Sequence, residues 1–178
     1  MTHPRFLTLV GIVLAAAALR LLPHWPNFTP VAAMALFGGA HFASRRMALA
    51  VPLAAMLLSD AVLGFHSSMG FVYGAFAATV GLGLLLRNGR SPLRVGGMAL
   101  GASVLFFGVT NFGAWLVGGL YPLTAAGLAE AYVAGLPFFT NTLAGDLLYT
   151  GVLFGGFALA QRSLPALREA PGALPAAG

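Results

Sequence analysis

The sequence predicts an all-α integral membrane protein, a bundle of six transmembrane helices, and its composition and hydropathy carry that prediction. Of its 178 residues, 59% are hydrophobic and only 7% are charged, and the mean hydropathy is +0.90. Soluble domains carry about 25% charged residues, so this chain has too few to cover a globular surface with solvated side chains. Its length suits one compact bundle without a second soluble domain. Because the sequence has no cysteine, disulfides and thiolate metal sites are excluded.

Six apolar segments approach the length of about 20 residues that crosses a bilayer. They are 6–22, 29–43, 47–64, 69–86, 95–118 and 140–160. The second is short, and Pro30 at its start is compatible with a helix only near the first turn. The connection 119–139 contains LTAAGLAEAYVAG, which predicts a short amphipathic helix at the membrane surface. We therefore expect a transmembrane domain over 1–162 and a Pro/Ala/Gly-rich, disordered cytoplasmic tail over 163–178.

The first segment has a second interpretation. MTHPRFLTLVGIVLAAAALRLL has the basic start and apolar centre of a signal peptide. Cleavage would leave five spans in the same orientation. However, no A-x-A site followed by a polar mature start is evident, and Arg20 lies close behind the apolar run. A retained first helix is the favoured interpretation.

The arginines predict how the bundle is oriented. All nine basic residues are arginines, and with six spans eight of them fall on one side, Arg20 being the exception. The eight are Arg5, Arg45, Arg46, Arg87, Arg90, Arg94, Arg162 and Arg168. Cytoplasmic loops collect Lys and Arg, so both termini are expected in the cytoplasm. The scatter of these arginines between apolar runs is typical of membrane topology and argues against nucleic-acid binding.

This topology places the polar residues of the spans in the outer leaflet, on at least three helices. The seven candidates for binding a substrate are Arg20, Asp60, Asn111, Trp115, Thr142, Asp146 and Tyr149. A carboxylate near the centre of a span costs about 2.5–3.5 kcal/mol on insertion scales, and such residues usually face the bundle or a wet cavity. We therefore expect a shared outer site.

Helical spacing gives that site a shape. Thr142, Asp146 and Tyr149 stand at i, i+4 and i+7 and so share one face of the sixth segment. Asn111 and Trp115 share a face of the fifth. Aromatic and amide groups beside a carboxylate can hold a small flat or cationic molecule.

A structural interpretation stands beside the functional one. Arg20 can form an ion pair with Asp60 or Asp146 that locks helices together, and Asn111 can hydrogen-bond across helices. Trp115 suits the aromatic belt at the membrane interface. The sequence has no P-loop, HExxH or G-x-S-x-G motif. We therefore expect no catalytic residues, no cofactor and no bound metal.

Four blocks of sequence carry a resemblance to a known family. They are RLLPHWPNFTPVAAMALFGGAHF, PLAAMLLSDAVLGFH, VTNFGAWL and YVAGLPFFTNTLAGDLLYTGVLFGG. Together they resemble a family of small, uncharacterised bacterial membrane proteins. That family is similar, in size, six spans and layout, to the substrate-binding S components of energy-coupling factor transporters.

The resemblance implies a bundle in the bacterial inner membrane that captures a vitamin or vitamin precursor near its outer face. A transmembrane coupling subunit and cytoplasmic ATPases would be its partners, and the coupling subunit would dock on the first helix through an Ala-xxx-Ala pattern. This chain carries Gly11-xxx-Ala15 there.

Three functions are carried forward from the sequence. The leading expectation is a non-enzymatic substrate-capture subunit for uptake of a small water-soluble metabolite. The second is a structural or assembly protein whose polar residues only fix helix packing. The third is a membrane-embedded enzyme that uses Asp60 and Asp146 as acid and base.

Overall fold

A computed structural model of the chain describes residues 3–169, and over that range the chain is helical and has no strand. The helices are α1 (His3–Leu19), α2 (Val31–His41), α3 (Arg45–Leu63), α4 (Met69–Leu85), α5 (Pro92–Val117) and α6 (Ala125–Ser163). Helices α3 to α6, with α4 extended by a 3-10 turn to Asn88, are long and apolar enough to cross a membrane. Helices α1 and α2 are apolar but shorter. Over the described residues the predicted all-α fold is confirmed and six α-helices are present, of which four rather than the predicted six are long and apolar enough to span a membrane.

Local sequence signals set several helix ends. Ser91 caps the start of α5 and is followed directly by proline, the pair typical of a helix N-terminus. The Thr124 hydroxyl accepts from the backbone N–H of Gly127 at 3.1 Å and begins α6. Helix α3 ends at Gly64, whose φ of 99° lies in a region that favours glycine.

Helix α2 is the centre of the bundle. Each of its eleven residues is buried, and it packs against all five other helices. A helix that is apolar on every side is typically enclosed by protein. The other helices therefore form a ring around α2 and face the surroundings with their outer sides.

Two glycines bring the backbones of α2 and α4 into direct contact. A Cβ atom added at Gly39 would lie 2.8 Å from the Cα of Gly83, and one added at Gly83 would lie 3.0 Å from the Cα of Gly39. Side chains at either position would force the two helices apart.

Arginines bind the backbone carbonyls at the C-terminal end of α2. Arg87 donates to Gly39 O at 3.1 Å and to Phe42 O at 2.5 Å, and Arg90 donates to Ala40 O at 2.8 Å. The last carbonyls of a helix have no partner within the helix and carry partial negative charge. These guanidinium groups therefore satisfy and neutralise that end of α2. The N-terminal end of α2 lies at the opposite end of the bundle.

Helix α6 differs from the sequence prediction. It runs unbroken for 39 residues from Ala125, so the separate surface helix predicted within 119–139 is wrong. Pro137 lies inside it, and membrane helices tolerate an interior proline when neighbouring groups satisfy the freed backbone. The Thr140 hydroxyl donates to Pro137 O at 2.8 Å, and Tyr132 donates to Gly108 O at 2.7 Å, which holds the early part of α6 against α5.

The first residues of the predicted disordered tail are part of the fold. After α6, the chain makes a 3-10 turn at Pro165–Leu167, and Leu167 is buried. Glu169 then forms ion pairs with Arg5 at 2.9 Å and Arg90 at 2.7 Å. Residues 170–178 lie outside the described part of the chain.

Candidate functional site

A cavity of about 180 Å³ lies above the N-terminal end of α2. Its polar lining comes from the segment between α1 and α2 and from α6: Arg20, Asn27, Thr29, Thr142 and Asp146. Its apolar lining comes from α2, α3, α4 and α5: Val31, Ala32, Met56, Val72 and Phe106. Most elements of the bundle therefore converge on this one space, which we call the outer cavity after the side that the arginine distribution predicts for it.

Asp146 caps α2 from a different helix. Its carboxylate accepts the Ser103 hydroxyl of α5 at 2.6 Å and also accepts the backbone N–H of Ala32 in the first turn of α2. Pro30, the N-cap residue of α2, supplies no side-chain cap. A carboxylate near a helix N-terminus is stabilised by the unpaired N–H groups and the helix dipole. Asp146 thus has a structural role and also lines the outer cavity.

Arg20 and Asp60 form an ion pair beside the same cavity. Arg20 Nη2 lies 2.7 Å from Asp60 Oδ1, and their side chains are only 12% and 5% exposed. Arg20 also donates to the hydroxyl of Ser59, and Tyr73 donates to Asp60 Oδ2 at 2.8 Å. The ion pair anticipated from the sequence is present, with Asp60 as the partner. Arg20 lines the outer cavity, whereas Asp60 is not among its lining residues.

Three of the seven predicted site residues line the same cavity. Arg20, Thr142 and Asp146 line the outer cavity, and Asp60 joins them through its ion pair with Arg20. The Thr142 hydroxyl donates to Phe138 O at 3.0 Å, which leaves its oxygen lone pairs available to a ligand.

The other three predicted residues lie elsewhere. Tyr149 packs on Phe28, with ring centroids 5.7 Å apart, in a shallow groove that does not include Asp146. Asn111 donates to Phe107 O at 2.9 Å. Trp115 donates to Pro122 O at 2.9 Å and so holds the turn between α5 and α6. The sequence placed these residues on the right helices but did not determine which way each faces.

Sequence reasoning did not select several residues that shape the site. Ser103 and Tyr73 each bind a buried carboxylate, and Asn27 and Thr29 line the outer cavity. The motif PNFTP was the available signal, because closely spaced prolines predict irregular backbone. Asn27 has a φ of 62°, a left-handed conformation that Asn adopts more readily than most residues. Ser103 gave no signal beyond being a lone hydroxyl in an apolar run.

The arrangement suits the holding of a small polar molecule. It offers a guanidinium, a carboxylate, a hydroxyl and an amide around an apolar floor, the usual composition of a ligand pocket. Within residues 3–169, no group of three or more His, Cys, Asp or Glu side chains is placed to hold a metal ion.

Comparisons with known proteins place the chain in a family. No curated protein and no solved structure matches it. A family model matches residues 1–167, nearly the whole chain, including every residue around the outer cavity. The chain therefore belongs to DUF6580, a family of unknown function.

Proposed function

We propose that the protein captures a small, water-soluble metabolite in the outer cavity as a step in its uptake. The observation that carries the proposal is this partly open cavity, lined by Arg20 and Asp146 within a bundle of apolar helices. Packing alone gives no reason to leave such a space beside a guanidinium and a carboxylate. Charged groups within membrane spans commonly mark a path or site for a substrate.

The size of the outer cavity limits the ligand. Its volume of about 180 Å³ lies below the roughly 300–1,000 Å³ of pockets that hold drug-sized molecules. A metabolite smaller than that class fits without rearrangement, while a vitamin requires the segment around Asn27 and Thr29 to move outward. Arg20 suits an anionic group of the ligand, and Asp146 suits a hydrogen-bond donor.

The protein would lie in the bacterial inner membrane with a fixed orientation and would work with partner subunits. The arginines around the C-terminal end of α2 would face the cytoplasm, so that the outer cavity opens to the opposite side of the bacterial inner membrane. Capture at that face is the task of the S components of energy-coupling factor transporters. A transmembrane coupling subunit and cytoplasmic ATPases would then release the ligand inward. The support for these partners is the sequence resemblance and the position of the cavity.

The proposal can be tested by native mass spectrometry of the purified protein with a matched pair of variants. Val72→Phe would fill the outer cavity, while Val104→Phe adds the same bulk at an exposed position of α5. We expect a small molecule to be retained by the unmodified protein and by Val104→Phe, and to be lost from Val72→Phe. Retention of the same molecule by both variants, with both folded, would contradict capture in this cavity.

A structural role is the second candidate, and the pairing of the carboxylates favours it. Asp60 is bound by Arg20 and Tyr73, and Asp146 by Ser103 and the N-terminus of α2. Under this alternative no molecule is retained, and substitutions at Asp60 and Asp146 change only the stability of the bundle.

A further inference from the structure

A second cavity of about 290 Å³ lies between α5 and α6, away from the outer cavity. We call it the α5–α6 groove. Its floor includes the buried residues Ala99, Thr150 and Phe154, and its wall includes Gly151 and Gly155, which are exposed. Neither glycine has an atom within 4 Å of the place where a side chain would begin, so the groove is open beside them. Arg90 lines the groove as well.

The groove contains a buried polar atom without a partner. Thr150 is only 2% exposed, and its hydroxyl oxygen has no hydrogen-bond partner within the described residues. A helical threonine usually bonds a carbonyl of the preceding turn, and a buried hydroxyl left unpaired costs about 1–3 kcal/mol. The Nε atom of Arg90 is also buried and unpartnered. Both residues line the same groove, so a ligand that enters it deeply can supply the missing partners.

The spacing of these two groups follows from α2. Asp146 binds the first turn of α2 at Ala32, and Arg90 binds its last turn at Ala40, eight residues or about 12 Å along the axis. Thr150 lies one turn below Asp146, about 6 Å along α6 in the same direction. The Thr150 hydroxyl is therefore about 6 Å above the Arg90 guanidinium, measured along the bundle.

Positive charge is in excess at the Arg90 end. Glu169 pairs with both Arg5 and Arg90, and Arg87 lies close enough to interact with Arg90. The positive charges of Arg5, Arg87 and Arg90 are therefore balanced only by the Glu169 carboxylate and the partial negative charge of the last carbonyls of α2. An anion that enters the groove at this end would be attracted.

We propose that the α5–α6 groove binds one anionic glycerophospholipid from the bilayer. Its phosphate lies against Arg90, one ester carbonyl accepts the Thr150 hydroxyl, and the acyl chain continues along the glycine-lined wall. The glycerol backbone separates phosphate and ester carbonyl by only a few bonds, which suits the spacing of Arg90 and Thr150. Along α6 the groove runs from Ala158 to Leu147, about 16 Å, close to the depth of one leaflet.

A lipid fits the groove better than a helix of another protein. An α-helix is roughly 10 Å across with its side chains, so it would rest on the exposed rims and not reach a hydroxyl on the floor. A single acyl chain is much narrower. The excess of arginines at one end also matches a headgroup phosphate, and lipids of the cytoplasmic leaflet are often anionic. The inference is independent of ligand capture in the outer cavity.

The test uses the delipidated full-length protein in detergent and titrates it with lipids, read by native mass spectrometry. The probes are dioleoyl phosphatidylglycerol, dioleoyl phosphatidylcholine and a dialkyl ether analogue of phosphatidylglycerol. We expect the anionic diester lipid to bind about fivefold more tightly than the zwitterionic one. Its affinity should also be about fivefold higher than that of the ether analogue, because the ether lipid lacks the ester carbonyl. Equal affinities for all three lipids would overturn the proposal.

Three variants locate the binding. Gly155→Leu fills the groove, whereas Gly156→Leu adds the same side chain at the next position, which is also exposed, has open space and lies outside the groove. We expect the first to abolish binding of the diester lipid and the second to leave it unchanged. Thr150→Val should weaken binding of the diester lipid about fivefold and leave binding of the ether lipid unchanged. Equal lipid binding by both leucine variants, or a change of oligomeric state in Gly155→Leu alone, would show that the groove is not a lipid site.

Discussion

The Asp146 carboxylate holds together two helices that do not contain it. It accepts from Ser103 of α5 and from the backbone of Ala32 in α2. We expect Asp146→Ala to lower the free energy of unfolding by about 1–3 kcal/mol, since both donors lose their acceptor. Asp146→Asn should lower it less, because the amide oxygen can still accept one of the two bonds. Denaturant unfolding of the purified protein in detergent measures the unfolding free energy of both variants. Equal decreases for the two variants would contradict the capping role.

The buried ion pair between Arg20 and Asp60 is expected to stabilise the bundle only when both members are present. Removing one member of a buried ion pair costs about 3–5 kcal/mol, because the other charge is left unpaired. We therefore expect Arg20→Met and Asp60→Leu each to destabilise the protein strongly. The double variant should lose less unfolding free energy than the sum of the losses in the two single variants.

A double-mutant cycle from the same unfolding measurement gives the coupling between Arg20 and Asp60. Additive losses would show that the two residues stabilise the bundle through other partners, of which Ser59 and Tyr73 are the nearest. Ser59→Ala tests one of these partners, since it removes the hydroxyl that accepts from Arg20, and it should cost about 1.5–3 kcal/mol.

Individual residues show what the sequence could and could not predict about the site. The cost of charge in a membrane singled out Arg20, Asp60 and Asp146 from the sequence, because that cost does not depend on neighbours, and the structure shows all three in side-chain ion pairs or hydrogen bonds. Their partners depend on how helices rotate about their axes. Helical spacing placed Tyr149 on one face with Asp146, yet Tyr149 packs on Phe28 and lies outside the outer cavity.

At the scale of the elements, the crossing of α2 and α4 makes a sharp prediction. A methyl group at position 83 would collide with Leu36 O and the Cα of Gly39, while position 81 has nothing within 4 Å. We expect Gly83→Ala to destabilise the protein by about 1–3 kcal/mol through overpacking. Gly81→Ala, in the same helix, should be neutral or stabilising by up to about 1 kcal/mol, because alanine is the better helix former. Similar unfolding curves for the two variants would contradict the close contact.

The elements also differ in how well the sequence predicted them. Apolar runs identified α1 to α5 to within a few residues, because the bilayer selects hydrophobicity directly. The start of α6 was missed because Glu130 and Pro137 interrupt the apolar pattern. The structure shows that contacts with α5 support this part of α6, and such contacts leave no periodic signature in a single sequence.

At the scale of the whole molecule, the orientation in the membrane can be tested directly. Leu120 lies in the turn between α5 and α6 and is 81% exposed, while Leu164 follows α6 and is 54% exposed. Because the chain has no cysteine, each can be replaced by a single one without altering the background. We expect Leu120→Cys to react with an impermeant maleimide on intact cells, and Leu164→Cys to react only after permeabilisation. The reverse pattern would invert the proposed orientation and place the outer cavity toward the cytoplasm.

The eleven residues of α2 are about 16 Å long, roughly half of the hydrocarbon core, so this segment cannot cross the bilayer alone. Its last carbonyls are bound by arginines 48 and 50 residues farther along the chain, and its first turn is bound by Asp146. During synthesis, α2 therefore leaves the ribosome long before its partners exist. A nascent chain halted before α6 lacks the cap at Ala32, and the bundle can close around its centre only when the last helix arrives.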